Sequence, residues 1–192
     1  MSELWKVPAL PPPDRDMILR YARGAHAEGL DSILDDVIAA AVGSVHPKLC
    51  FSVLPLQIEG DHVFLGTVSV QSRGLAKHLS GCGRAVLFAA TVGANADRLI
   101  LRAEASSPVR ALLLDAFFTE RVEALCDAFT AQYTVPNRRF SPGYDDLPLE
   151  FQKTMFSLLD CPRKIGLTLG ESLLMMPTKS VTAIIGIQEE RT

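Results

Sequence analysis

The chain has 192 residues, 48% of them hydrophobic, and a formal net charge of −3, which suits one well-cored domain and barely allows two. The acidic balance leaves no basic footprint for nucleic acid, and no apolar run approaches the roughly 20 residues that span a bilayer. The opening Met1-Ser2-Glu3-Leu4-Trp5-Lys6 lacks the charged and apolar regions of a secretion signal, so a cytoplasmic protein with no membrane partner is expected.

The Pro-rich opening (Pro8, Pro11, Pro12, Pro13) reads as an extended arm leading into a helix, with Asp14 and Asp16 in its first turn and Gly24 at its end. A second helix starts near Ser32, with Asp35 three positions on, and stops at Gly43. Residues 48–58 and 62–70 are apolar-rich segments around Glu59-Gly60-Asp61, the pattern of a β-hairpin. Ser72 caps a short helix ending near Gly81, and residues 85–92 form a near-continuous apolar strand of the kind buried on both faces. After Gly93, residues 94–105 fit a helix. Ser107-Pro108 then signals the start of the longest helix, over residues 108–131. Leu114, Phe118, Val122, Leu125 and Phe129 make its apolar stripe, with Thr119, Glu120, Glu123 and Asp127 on a narrower polar strip. Residues 133–147 have no periodicity. Pro148 starts another helix ending before Cys161-Pro162, and strands over 165–169, 172–176 and 180–188 close the chain. These elements predict a single α+β domain.

Cys50, Cys82, Cys126 and Cys161 show no CxxC spacing, and His26, His46, His62 and His78 form no i,i+4 pair. The cysteines read as small hydrophobes or free thiols, and no protein-ligated metal is expected. Gly81-Cys82-Gly83 precedes a strand and has Val86 where a third glycine would stand, so it is not a dinucleotide loop. No catalytic dyad or triad is recognisable. The chemistry concentrates in Arg139-Phe140-Ser141-Pro142-Gly143-Tyr144, inside the aperiodic stretch. Arginine clamps a carboxylate with two parallel hydrogen bonds, while Pro142 stiffens the loop and Gly143 lets a ligand approach the main chain. Tyr144 adds a flat face with a polar tip. Together these could hold a small zwitterion that carries an aromatic group. The plainer readings are a surface arginine pinning the loop, a Pro-Gly turn, a tyrosine plugging the core edge and, for Glu123, a solvated helix face.

The same six residues have the Arg-x-x-x-Gly-Tyr form of the activation domain of vitamin B12-dependent methionine synthase. Glu171-Ser172, Met175, Pro177 and Ser180-Val181 match that family's Glu-Ser-x-x-Met-x-Pro-x-x-Ser-Val run. The chain therefore resembles this domain, most clearly over residues 114–187. The resemblance implies a twisted, mainly antiparallel β-sheet with flanking helices, and binding of S-adenosylmethionine. It also implies a role in restoring cob(II)alamin to service: a flavodoxin-type donor resupplies an electron, and S-adenosylmethionine supplies a methyl to the reduced cobalt. By the family motif Arg139 pairs with the ligand carboxylate, Pro142 and Gly143 shape the contact with its backbone and Tyr144 lies against it. Glu123, in a similar Glu-Ala setting, is the candidate partner of the ligand ammonium. The sulfonium is already a good leaving group, so such a protein mainly positions its ligand.

The chain also departs from the family. A family glutamate just upstream of the motif falls near Tyr133, and Asp145-Asp146 follow Tyr144. No Asp-x-His-x-x-Gly run for a lower cobalamin ligand is present, so cobalamin is expected only through a partner, a separate cobalamin-binding methionine synthase or another corrinoid protein. Two other readings stay open. One is a non-catalytic docking or assembly module for a corrinoid protein. The other is a methyltransferase using S-adenosylmethionine on a different acceptor, which the lack of a glycine-rich strand-to-helix loop disfavours.

Overall fold

In the computed structural model, which describes residues 1–23, 30–134 and 138–188, the elements run β1 (Glu3–Leu4), α1 (Arg15–Tyr21), α2 (Leu30–Ala41), a 3-10 turn (Val42–Ser44), β2 (Lys48–Glu59), β3 (His62–Leu65), β4 (Val68–Gln71), α3 (Arg73–His78) and β5 (Arg84–Thr91). There follow α4 (Asn95–Glu104), α5 (Pro108–Thr130), α6 (Phe151–Leu159), α7 (Cys161–Ile165), β6 (Thr168–Leu169), β7 (Met175–Met176) and β8 (Ser180–Ile187). The strands β4-β3-β2-β5-β8 lie side by side in one sheet, with β1 also on β2, and every pairing is antiparallel. The fold is α+β, a curled antiparallel sheet with flanking helices. Strand β2 is long because it serves two partners in turn: Lys48 to Pro55 face β5, and Leu56 to Glu59 face β3.

Strand β5 is buried from Ala85 to Thr91. Its side chains alternate between the two sheet faces, as the pleat requires. Leu87 and Ala89 enter a core with Leu75, Met155, Phe156 and Ile184, under α3, α6 and α7. Val86, Phe88 and Ala90 enter a second core with Leu125, Phe129 and Ile185, under α5. Phe129 packs its ring against Trp5, Phe51, Phe88 and Tyr133, at centroid distances of 5.1–5.5 Å.

The caps at Ser72 and Ser107 form where the sequence places them, Ser72 Oγ accepting from Leu75 N and Ser107 Oγ from Arg110 N, while Asp14, expected in the first turn of α1, is its N-cap and accepts from Met17 N through Oδ1. The expected end of α1 at Gly24, and His26 beyond it, lie outside the described residues. Four expectations need correction. The strand expected over 62–70 is two strands, because Gly66 turns the chain at φ +61 and gives its N–H to Pro55 O. Residues 161–165, expected to lead into a strand, are the helix α7, started by Pro162 and closed by Gly166 in the left-handed region. The strands expected over 165–169 and 172–176 shrink to the two-residue pair β6 and β7. Glu120, placed on the polar strip of α5, is buried beside Arg121.

Gly186 sits on β8 opposite Ala85, and a Cβ there would lie 2.5 Å from Cys82 Sγ and 3.1 Å from Leu79 Cδ2. Gly186→Ala is expected to cost about 1–3 kcal/mol of stability through overpacking. Chemical denaturation measures it, and adding Cys82→Ala should return part of the loss.

Candidate functional site

Helix α5 carries Glu120, Glu123 and Asp127 toward one open groove of about 1480 Å³. Val181, Thr182 and Ile185 of β8 continue its floor, and Arg138, Arg139, Ser141 and Tyr144 form one wall with Met175. The opposite wall is the N-terminal arm and α1, through Pro11, Pro12, Asp14, Met17 and Tyr21. Both sequence runs thus meet at one place. The link is local: Phe140 and Ile184 exchange backbone hydrogen bonds of 2.9 and 2.8 Å, which fasten the loop to the free edge of β8.

Arg139 Nη2 lies 2.5 Å from Glu123 Oε2 and 3.1 Å from Asp127 Oδ1. Those two carboxylates are one helical turn apart, so one guanidinium reaches both. Nη1 of the same group is buried and makes no hydrogen bond. Burial works against the charge on Arg139, but the Cys126 sulfur and the Glu123 and Asp127 carboxylates together outweigh it and hold its pKa above the ordinary value. Burial pushes the Cys126 thiol up to about 12, so it is neutral at physiological pH. The Tyr21 hydroxyl is also raised, by burial first and then by Glu123 and Asp127.

The arm is held by the pair missed on sequence. Arg121 is bonded to Glu120 through Nε and Nη2, both at 2.5 Å, and gives Nη1 to Pro11 O at 2.6 Å and Nη2 to Pro12 O at 3.3 Å. Glu120 Oε1 accepts from Asp14 N at 3.3 Å. The buried pair therefore fixes two carbonyls and one amide of the arm.

The loop is held at its far end by Asp146. Its carboxylate accepts from Ser72 Oγ at 2.5 Å and from the amides of Arg73 and Gly74 at 2.8 and 3.0 Å, at the start of α3. A Cβ on Gly74 would run into the neighbouring Asp145. Gly143 has φ +89 and gives its N–H to Leu147 O at 2.9 Å. Pro142 is buried, and neither it nor Gly143 lines the groove; they shape the turn. Tyr144 is 59% exposed at the groove mouth, its ring edge-on to Phe140 at 6.2 Å.

Of the residues singled out on sequence, the structure brings Arg139, Glu123 and Tyr144 together. Tyr133 lies apart, packed on Phe129. Missed on sequence were the place of the arm on the groove, Asp127 as a partner of Arg139, and Gln152 of α6, which is 6% exposed, lines the groove and has Oε1 buried without a hydrogen bond. The i,i+4 spacing of Glu123 and Asp127 was the available signal for the second. Among the described residues no group of three His, Cys, Asp or Glu could hold a metal ion, and no helix is long and apolar enough to cross a membrane.

Residues 120–192 match the family model of the vitamin B12 dependent methionine synthase activation domain. Over 93% of its length the chain superposes on 71% of a solved chain described as the MetH reactivation domain bound to AdoHcy, with a TM-score of 0.63 and 17% sequence identity. Comparison with curated proteins by sequence gives no match.

The hydrogen bond from Ser72, followed by those from the two amides, lowers the pKa of Asp146 below the ordinary carboxylate value. A depressed folded-state pKa adds stability that is complete above the unfolded value of about 3.9 and fades as pH falls through the folded one. The Tm gap between the parent and Asp146→Asn is therefore expected to be full above that pH and to close below it. Thermal melts across pH 2–7 (roughly the range over which the carboxyl titrates) measure the effect.

Proposed function

We propose that the groove binds S-adenosylmethionine and that the protein supports reductive methylation of cob(II)alamin held by a separate cobalamin-dependent methionine synthase or other corrinoid protein. The observation carrying this reading is the Arg139 guanidinium, pinned through one nitrogen by Glu123 and Asp127 and left with a buried, unbonded Nη1. A guanidinium has more donors than Glu123 and Asp127 use, and a ligand carboxylate in the groove can take one without displacing either partner.

The charge balance supports the same ligand. Asp14, Glu120, Glu123 and Asp127 line the groove against Arg138 and Arg139, an excess of negative charge even with Glu120 answered by Arg121. S-adenosylmethionine carries an ammonium, a sulfonium and one carboxylate, a net cation. Tyr144 offers a face for an adenine ring. S-adenosylmethionine supplies an activated methyl group, and the residues of this chain bind and orient it. Arg139 fixes the carboxylate, the acidic wall takes the positive end, and the exposed mouth at Tyr144 is where a corrinoid partner would approach. The likeness to a reactivation domain that binds AdoHcy supports the ligand class, and the matching family model supports the cobalamin role. The electron would come from a flavodoxin-type donor.

Calorimetry should show S-adenosylmethionine binding to the parent chain. Arg139→Ala is expected to weaken it by about 2–3 kcal/mol, the scale of a charge-assisted hydrogen bond. Arg139→Lys should recover only part, since an ammonium lacks the planar fork. No binding by the parent chain would sink the proposal. With a cob(II)alamin-loaded partner and a reductant, methyl label from S-adenosylmethionine should appear on the corrinoid. Partner capture without label would point to a docking module instead, and label on a non-corrinoid acceptor to a different methyltransferase.

A further inference from the structure

Buried polar side chains almost always have a partner, and Gln152 breaks that rule at one atom. It lies in the first turn of α6, is 6% exposed, and its Oε1 is buried with no hydrogen bond. It also lines the same groove as Arg139 and Tyr144. The neighbours of Gln152 on its helix, Phe151, Met155 and Phe156, enter the core under the sheet. An apolar residue at 152 would extend that core, so the fold alone gives no reason for an amide there. The carboxylates on the groove are differently placed. Glu123 and Asp127 share Arg139, Glu120 holds Arg121, and Asp14 caps α1. All of them remain anionic acceptors suited to a cation. Gln152 is a neutral acceptor on the same groove, and a neutral amide suits a neutral N–H donor.

We infer that Gln152 is a ligand-contacting residue that reads the nucleobase, its amide turning about the terminal side-chain torsion so that the buried Oε1 meets the 6-amino group of the adenine of the proposed ligand. The inference rests on the S-adenosylmethionine reading. A primary amide offers an acceptor and a donor side by side. This is the complement of an adenine edge, whose amino group donates while N7 accepts. Tyr144 at the groove mouth gives the ring of the same base a face to lie against. The acidic wall is then left to the ammonium and sulfonium, and Arg139 to the carboxylate. Each polar part of the ligand meets a group of matching charge.

The position predicts two effects of opposite sign. Gln152→Met keeps the side-chain length and removes the unbonded acceptor, so the ligand-free protein should melt about 2–4 °C higher. The same change should weaken S-adenosylmethionine tenfold or more in calorimetry. A residue with a purely structural role would not move the two quantities in opposite directions. The analogue with a 6-oxo group in place of the 6-amino group should bind the parent at least tenfold more weakly than S-adenosylmethionine, and Gln152→Met should bind the two within about twofold, because the group that tells them apart is gone. Gln152→Asn, which keeps the amide but shortens its reach, should lose affinity without the gain in Tm.

Equal affinity of parent and Gln152→Met for S-adenosylmethionine overturns the inference, as does an undiminished preference for the 6-amino ligand in the variant. If the parent binds no S-adenosylmethionine at all, the functional reading falls first. The ligand-free melts then decide separately whether Oε1 is an unsatisfied acceptor, and a variant that melts lower than the parent ends the argument.

Discussion

Everything in this molecule is arranged around β5, a strand that is apolar on both faces and hydrogen-bonded on both edges. Eight residues pair with β2 and the same eight with β8, and from Ala85 to Thr91 the strand is buried. Each of its larger side chains gains roughly 1.5–3 kcal/mol by full burial, provided something covers both faces of the sheet. Helices α3, α6 and α7 cover one face, and α5 with Trp5, Val7 and Leu10 of the N-terminal arm covers the other. Helix α5 also holds α1, α2 and α4 on its far side through Phe117, Phe118 and Leu113. A helix buried on so many sides has little room for charge, and its carboxylates emerge where β8 ends the sheet. The groove is the corner left by that geometry.

Two arginines turn this corner into a site, and they work in the same way. Arg121, on α5 itself, uses Glu120 to orient its guanidinium and spends its remaining donors on Pro11 and Pro12 carbonyls. Arg139, from the loop, is oriented by Glu123 and Asp127. One pair fixes the arm and the other fixes the loop, so the opposing walls are referenced to one rigid helix. Buried ion pairs are weak sources of net stability because desolvation cancels much of the attraction. Their value here is directional: a guanidinium with one edge occupied can point its other edge in one direction only.

The parts of this arrangement visible in the sequence are those written in local pattern. The apolar run of β5, the stripe on α5 and the caps at Ser72 and Ser107 depend on neighbours a few residues away, and they stand as read. Arg139 and Tyr144 stood out because a loop without periodicity concentrated unusual residue types, whereas Glu123 was joined to them only through the family resemblance. What stayed hidden depends on distance. Glu120 looks like any helix-surface carboxylate until the arm, more than a hundred residues earlier, folds over it. Asp145-Asp146 stands in the sequence only as a departure from the family after Tyr144, yet Asp146 is taken up by the Ser72 hydroxyl and the amides of Arg73 and Gly74. Gln152 is one polar residue on an amphipathic helix, and only the three-dimensional contact shows its acceptor without a partner. The helix at residues 161–165 was missed because a five-residue helix shows too few turns for a period, although Pro162 and Gly166 marked its ends.

The charges on the two walls bear on the class of ligand proposed for the groove. Glu123 and Asp127 present two negative charges to one Arg139, and Asp14 on the other wall adds a further carboxylate. Like charges across an open groove repel only weakly through water, where the interaction at about 4 Å is near 1 kcal/mol. Excluding that water with a ligand strengthens both the repulsion and any attraction that answers it. A neutral molecule would be left among uncompensated carboxylates, and an anion would fare worse. A molecule with one carboxylate for Arg139 and two positive centres for the acidic wall brings the groove close to balance. On the proposed reading, net charge would favour such a ligand before shape is considered, with its carboxylate end at Arg139.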